Sequence, residues 1–205
     1  MKSPIQILTV GHSNHPTEKL IELLRTHGVT AIADVRSAPF SRHSPQFNRE
    51  TLEAILKREE LEYVFLGREL GARSDDRSCY DAAGQVQYGR LASTDLFRSG
   101  LQRVLEGAEK HRLALMCAEK EPLECHRTLL VSLELAKQGV SIFHILASGQ
   151  LESHDETLDR LLQMEKLGGA DLFRSRADKL SEACARQEKR IAYATDPNAA
   201  PQEMP

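Results

Sequence analysis

Residues 113–137 read LALMCAEKEPLECHRTLLVSLELAK: an apolar tetrad from Leu113 to Met116, a polar exit from Cys117 to Pro122, and a strongly apolar stretch from Cys125 to Lys137. Four apolar residues with polar flanks fit a short strand buried on both faces. The longer stretch, stopped by Gly139, fits a buried helix. A strand, an exit and a helix make half of a parallel βαβ unit.

The same alternation recurs on either side. Ile5 to Val10 reads as a buried strand ending at Gly11-His12-Ser13, and Pro16 and Glu18 open a helix with Leu20, Ile21, Leu23 and Leu24 on its inner face. Gly28 stops it, and Val29 to Val35 is a second strand. Residues 36–48 form a loop, after which Asn48 can cap a helix carrying Leu52, Ile55 and Leu56. Tyr63 to Leu66 is a third strand. The glycine-rich segment 67–92 reads as a long, partly ordered excursion, a kind of loop that is usually functional or mobile. A helix from about Thr94 to Lys110 leads back to the quoted stretch. Beyond it come a strand from Val140 to Leu146, a helix from Thr157 to Leu167, and a last amphipathic helix from about Asp171 to Lys189. The tail, 195–205, has three prolines and little apolar content and is expected to be disordered.

The expected fold is therefore α/β: one domain over 1–194 with a doubly wound, mostly parallel five-stranded sheet and helices on both faces, a Rossmann-like three-layer sandwich. In such sheets ligands bind beyond the carboxyl ends of the strands. His12 and Ser13, Asp34 and Arg36, and Cys117 and Glu119 all stand at those ends, so residues remote in sequence are expected to meet at one rim.

With 205 residues, 40% of them apolar, the chain can bury a full core, and its net charge of -3 argues against strong general nucleic-acid binding while leaving room for a local basic patch. No run approaches a membrane span, and the residues before Ile5 are too few for a signal peptide, so a cytoplasmic setting without membrane contact is expected. Four cysteines at 79, 117, 125 and 184, without CxxC spacing, read as reduced thiols.

At a helix start, Cys125-His126-Arg127 concentrates nucleophilic, proton-transfer and anion-binding groups where backbone amides favour negative charge. Cys125 can be an activated thiolate, a metal ligand together with Cys117, His126 or His12, or an inert helix residue. Its Cys-x7-Cys-His spacing matches no common zinc motif, so no residue is assigned to a metal, and zinc or iron stands as the lesser alternative. Cys117 reads as a small buried hydrophobe. Glu119 beside His126 can act as acid or base, or pair with Arg127 or Arg36. An arginine in a first helical turn opposes the dipole, so Arg127 needs an anion, either a ligand or one of the carboxylates of Asp34 and Glu119.

Gly11-His12-Ser13 reads as a ligand contact or a tight turn, and Asp34 with Arg36 as a mutual pair or an anion grip. The segment from Val35 to Arg49 carries Arg36, Arg42, Arg49 and His43 with Phe40 and Phe47 and no acidic residue. Such a loop suits a nucleotide, a nucleic-acid strand or another anionic planar ligand, or is a solvated loop over two buried phenylalanines. Tyr80 and Tyr88 offer stacking faces. His144 reads as a hydrogen-bonded core residue. There is no G-x-G-x-x-G fingerprint for a dinucleotide. Nor are Cys and Arg six apart as a phosphotyrosine-phosphatase loop requires.

Together, Thr9-Val10-Gly11-His12-Ser13, Asp34-Val35-Arg36, Pro39, Phe47-Asn48, Leu66-Gly67, Cys117-Ala118-Glu119, Pro122, Cys125-His126-Arg127, His144-Ile145 and Arg190-Ile191-Ala192-Tyr193 resemble the motif set of the DUF488 family over roughly residues 5–193. That is a family of unknown function. The resemblance implies an α/β fold and this motif set, and the chemistry has to come from the residues.

Those residues point first to an enzyme, a hydrolase or group transferase, acting on a nucleotide, a nucleic-acid component or another small anion. Glu119, Cys125 and His126 would act on it, and His12, Ser13, Asp34, Arg36, Arg42 and Arg127 would hold it. A non-catalytic module for an anionic ligand or nucleic acid is the second reading, and a Cys/His metalloprotein the third. The 67–92 loop and the last helix are the segments available to a subunit interface.

Overall fold

The computed structural model describes residues 5–169 and 173–195. Six strands form one sheet in the order β3-β2-β4-β1-β5-β6. They are β1 (Gln6–Gly11), β2 (Ala31–Asp34), β3 (Glu62–Phe65), β4 (Leu113–Cys117), β5 (Ser141–Ile145) and β6 (Leu151–Ser153). The first five are parallel, and β6 pairs antiparallel with β5. The α/β class stands, with six strands in place of the expected five. The additional edge strand is three residues long and reads Leu-Glu-Ser, too short to show a period of two.

The strand order follows from crossover handedness. Moving from β1 through β2 to β3, the chain travels one way along the sheet, and α1 (Thr17–Thr26) and α2 (Arg49–Arg58) lie on one face. It then reverses through β4 to β5, so right-handed crossovers put α5 (Asp95–Ala108) and α6 (Leu133–Lys137) on the other face. Alternation along β1 matches this split: Leu8 and Val10 pack with Leu20, Leu24, Leu52 and Leu56, whereas Ile7 packs with Phe97, Leu129 and Leu135. Two more helices, α7 (His154–Met164) and α8 (Arg176–Ile191), complete the second layer.

Three local expectations change. Asn48 does not cap α2 with its side chain; its Oδ1 accepts instead from the Ser41 amide at 2.7 Å, tying down the 36–48 loop. The 67–92 segment is well built: it holds α3 (Gly67–Leu70), a 3-10 turn at Arg77–Cys79 and α4 (Tyr88–Ala92). The bridge Tyr80↔Val86 closes the segment on itself, and Gln85↔Ala194 fastens it to the chain just beyond α8. Cys125 stands outside a helix, in extended backbone (φ -136°, ψ 139°), and the chain then enters a π-helical turn at Arg127–Ser132 before α6. The expected start of the last helix at Asp171 and the tail beyond Thr195 lie outside the described residues.

The second face also encloses a polar chain. Thr9 Oγ1 lies 2.7 Å from His144 Nδ1, and His144 Nε2 lies 3.1 Å from His154 Nδ1, with His154 Nε2 buried and unpartnered. Burial lowers His154 from 6.5 to about 4 against a small opposing pull from Asp155, and burial, His154, Arg127 and Arg160 lower His144 well below its ordinary value. Both histidines therefore stay neutral in the fold. Below about pH 6.5 the unfolded chain takes up protons that the folded chain refuses, so stability is full above that pH and falls as the pH drops toward 4. Urea unfolding followed against pH should show this slope, and His154→Gln should make it shallower; an unchanged slope would count against this assignment.

Candidate active site

Two glycines allow the strand ends to crowd together. A Cβ on Gly11 would lie 1.9 Å from the Glu119 carbonyl oxygen, and one on Gly67 would lie 1.9 Å from the Arg36 carbonyl oxygen. His12 N donates to Cys117 O at 2.9 Å and Ser13 N to Ala118 O at 2.8 Å, so β1 and β4 stay paired past their ends. Segments 11–13, 34–37 and 117–120 thus form one rim.

Asp34 is fully buried and grips Arg36 with both oxygens: Nε donates to Oδ1 at 2.9 Å and Nη2 to Oδ2 at 2.6 Å. Tyr63 donates its hydroxyl to Oδ2 at 2.8 Å. The remaining Arg36 nitrogen, Nη1, serves the Phe47 carbonyl at 2.8 Å and His12 Nε2 at 3.1 Å. His12 Nδ1 sits 2.7 Å from Ser13 O, an acceptor only, so Nδ1 carries the proton and Nε2 accepts from Arg36. Burial and the Arg36 charge lower His12 to about 4. Asp34, Arg36 and His12 therefore form a closed neutralising network, with His12 stacked on Phe47 at 4.2 Å.

Beside it lies the second group. Ligand atoms of Cys117, Glu119, Cys125 and His126 all fall within 4.8 Å of one another. Both thiols donate to Glu119 Oε2, Cys117 at 2.9 Å and Cys125 at 3.0 Å, and the sulfurs stand 3.7 and 3.9 Å from His126 Nδ1. His126 Nε2 is 2.9 Å from the Val35 carbonyl, which can only accept. The neutral ring accordingly carries its proton on Nε2 and aims the Nδ1 lone pair at the sulfurs. Glu119 is an exposed residue whose carboxylate nevertheless rests on two buried thiols.

Burial pushes the Cys117 thiol up, and its hydrogen bond with Cys125 adds to this. Burial also opposes ionisation of Cys125, but the hydrogen bond from Cys117, the Arg127 charge and His126 outweigh it and hold that thiol well below the ordinary range. Burial and the neighbouring Cys125 raise Glu119. Burial works against a charged His126, yet contact with Cys125 and Glu119 raises it overall.

Arg127 underlies the cluster with no solvent exposure. It does not meet the carboxylate of Asp34 or Glu119: Nη1 donates to the Glu119 carbonyl at 2.5 Å and Nη2 reaches the Lys120 carbonyl at 3.4 Å, while Nε is buried without a partner.

Above the cluster opens a cavity of about 240 Å³ whose lining includes Arg36, Cys117, Glu119 and His126 of the sequence-predicted residues. Cys125 and Arg127 lie beneath it and Asp34 behind Arg36, whereas His12, Ser13 and Arg42 are outside the lining. Ser37, Arg73, Tyr88 and Tyr193 also line it. A larger surface cleft of about 590 Å³ between α1 and α2 is lined by Ile21, Ile55 and charged side chains such as Glu18, Arg25 and Arg58, with no comparable cluster.

The family model described as Domain of unknown function DUF488 matches residues 16–133, more than half of the chain. The chain belongs to the DUF488 family. No curated protein and no solved structure matches it. Within the DUF488 match lie Asp34, Arg36, the whole four-residue cluster and Arg127, and outside it lie His12, Ser13 and Tyr193.

Sequence reading overlooked Arg73, whose guanidinium lies 4.5 Å from the centroid of the Tyr193 ring and makes no ion pair among the described residues. It also passed over Ser37, which accepts from the Arg73 amide at 3.0 Å, and Tyr63 as partner of Asp34. Only the Arg190–Tyr193 motif hinted that the chain's end returns to the site of this DUF488 protein.

Because Asp34 is buried within a charge pair, Asp34→Ala should cost about 3–5 kcal/mol in urea unfolding. Arg42→Ala, on an exposed residue, should cost less than about 0.5 kcal/mol. Equal effects of the two would show that the pair does not hold the rim.

Proposed function

We propose that this DUF488 protein is an enzyme, a hydrolase or group transferase, acting on a small anionic molecule with a planar group, such as a nucleotide or nucleic-acid component, in a cytoplasmic setting. One observation carries the reading: a carboxylate, an imidazole and two thiols converge at the floor of a cavity walled by Tyr88, Tyr193 and Arg73. Core packing has no use for such a convergence, and its position beyond the carboxyl ends of β1, β2 and β4, where the strand order reverses, is where Rossmann-like sheets take ligands.

The roles are divided. Arg36 is consumed by Asp34, so the anion grip falls to Arg73, and the Tyr88 and Tyr193 rings supply apolar faces for a planar group. Glu119, on the cavity side, is the group that moves a proton or directs a water. Cys125, 1% exposed, tunes Glu119 from below instead of meeting substrate. At about 240 Å³ the cavity is smaller than most drug-sized pockets, which suits one nucleotide head group and not an extended ligand. All four cysteines are free, in keeping with a reducing compartment. No helix among the described residues is long and apolar enough to cross a membrane.

A panel of nucleotides and simple phosphate esters, followed by product release, tests this. Glu119→Gln should lower kcat by about 10²–10⁴-fold with ligand affinity retained. Arg73→Ala should weaken binding about tenfold with little effect on kcat. Saturable binding without turnover would place the protein among non-catalytic ligand modules instead.

A further inference from the structure

We infer that Cys117, Cys125, His126 and Glu119 bind one divalent transition-metal ion, with zinc the best match to their chemistry. Two sulfurs, one imidazole nitrogen and one carboxylate oxygen are the donors zinc takes in tetrahedral sites. Sulfur at about 2.3 Å and nitrogen at about 2.0 Å from such an ion fix their mutual separation near 3.5 Å. The sulfurs stand 3.7 and 3.9 Å from His126 Nδ1, a few tenths of an ångström wider, a gap that small side-chain shifts close. Glu119 Oε2, at 2.9 and 3.0 Å from the sulfurs, has to back away by only about half an ångström for the ion to enter.

Two further observations point the same way. The Val35 carbonyl holds the proton of His126 on Nε2 and leaves Nδ1 free toward the sulfurs, the outer hydrogen bond that metal-ligating histidines almost always make. Charge accounting supplies the second. Two thiolates, a carboxylate and a divalent ion leave one net negative charge, and the fully buried Arg127, which has no carboxylate partner among the described residues, cancels it. Without the ion, the same cluster has to keep protons on groups packed against one another.

The Cys-x7-Cys-His spacing disguises the arrangement. Zinc motifs read from sequence place two ligands on one turn, whereas here Cys117 ends β4 and a 3-10 turn at Pro122–Glu124 folds Cys125 and His126 back onto it. The cavity meets the cluster on its Glu119 side, so that is where the ion would exchange a ligand for water. An ion placed there makes bound water acidic enough to ionise near neutrality. This extends the proposed enzymatic reading by naming its cofactor class, and metal content is measured without substrate, so either can fail while the other stands.

The experiment uses full-length protein without an affinity tag, purified under reducing conditions, with metals measured by plasma mass spectrometry. About one equivalent of zinc or a congener per chain is expected, falling below about a tenth in Cys117→Ser and Cys125→Ser and unchanged in Cys184→Ser. Because the site variants risk misfolding, the wild-type chain is also stripped with a chelator and reloaded with cobalt. Thiolate-to-cobalt charge-transfer absorption with intense tetrahedral visible bands is expected, together with loss of two titratable thiols. Less than about a tenth of an equivalent after reloading with zinc, cobalt and ferrous iron would overturn the inference. So would a full equivalent retained by Cys117→Ser, or a Cys117–Cys125 disulfide in metal-free protein from reduced lysate.

Discussion

A guanidinium removed from water, with no carboxylate to meet it among the described residues, governs this rim. Burying a charge is costly unless hydrogen bonds and opposite charge compensate it. Arg127 spends donors on the Glu119 and Lys120 carbonyls, which fixes the path of the chain as it leaves β4. That path brings the Glu119 carbonyl against Gly11 so closely that no side chain fits there. The same path sets both thiols and the Glu119 carboxylate in contact. Arg127 then biases the cluster it has positioned, since its charge favours the ionised form of Cys125. Packing and chemistry at this end of the sheet follow from one buried charge.

The fold was legible because its signal is redundant. Short apolar strands alternate with helices five times, and each repeat supports the same layered reading. The convergence of His12, Asp34, Arg36, Cys117 and Glu119 was legible for the same reason, since parallel strands put their carboxyl ends on one edge. What stayed hidden depends on geometry that no local pattern encodes. Residues 151–153 are too few to show periodicity. Cys125 looked helical from the apolar run behind it, yet extended backbone there is what turns its sulfur toward Cys117. Arg73 and Tyr193 meet because Gln85 bridges to Ala194, a pairing across more than a hundred residues. And sequence left Arg36 either paired with Asp34 or gripping an anion, because it cannot tell how many of its donors Asp34 takes.

Some departures from ordinary backbone and packing rules lie at this rim, while others sit elsewhere, with positive φ at Glu60 and Lys166 and unpartnered buried nitrogens on His15 and His154. Ser13 holds φ at 51°, in the left-handed region that costs a non-glycine residue about 1 kcal/mol or more. The chain after His126 runs as a π-helical turn, with Ser132 Oγ donating to the Arg127 carbonyl at 2.7 Å. π-Turns are frequent at functional sites. Thr128 Oγ1 and Arg127 Nε are buried without partners. Each feature costs stability that a purely structural strand-to-helix junction would have no reason to forgo. Within the stretch from Glu119 to Ser132, the π-turn and the two unpartnered polar atoms fall together at the start of the chain's return to the core.

The two charged networks divide the labour at this edge. Asp34, Arg36, His12 and Tyr63 satisfy one another and are saturated, so they brace the rim and present little to a ligand. The thiol cluster is the reverse: both sulfurs crowd one carboxylate oxygen, and an imidazole lone pair faces sulfur at 3.7 and 3.9 Å, too long for a strong bond. A saturated network resists change, whereas an under-satisfied one gains by taking up a proton, an ion or a substrate. Placing the rigid network at the end of β2 and the unsatisfied one at the end of β4, with Cys117 and His126 at the cavity floor, lets the first hold still while the second keeps bonding capacity open.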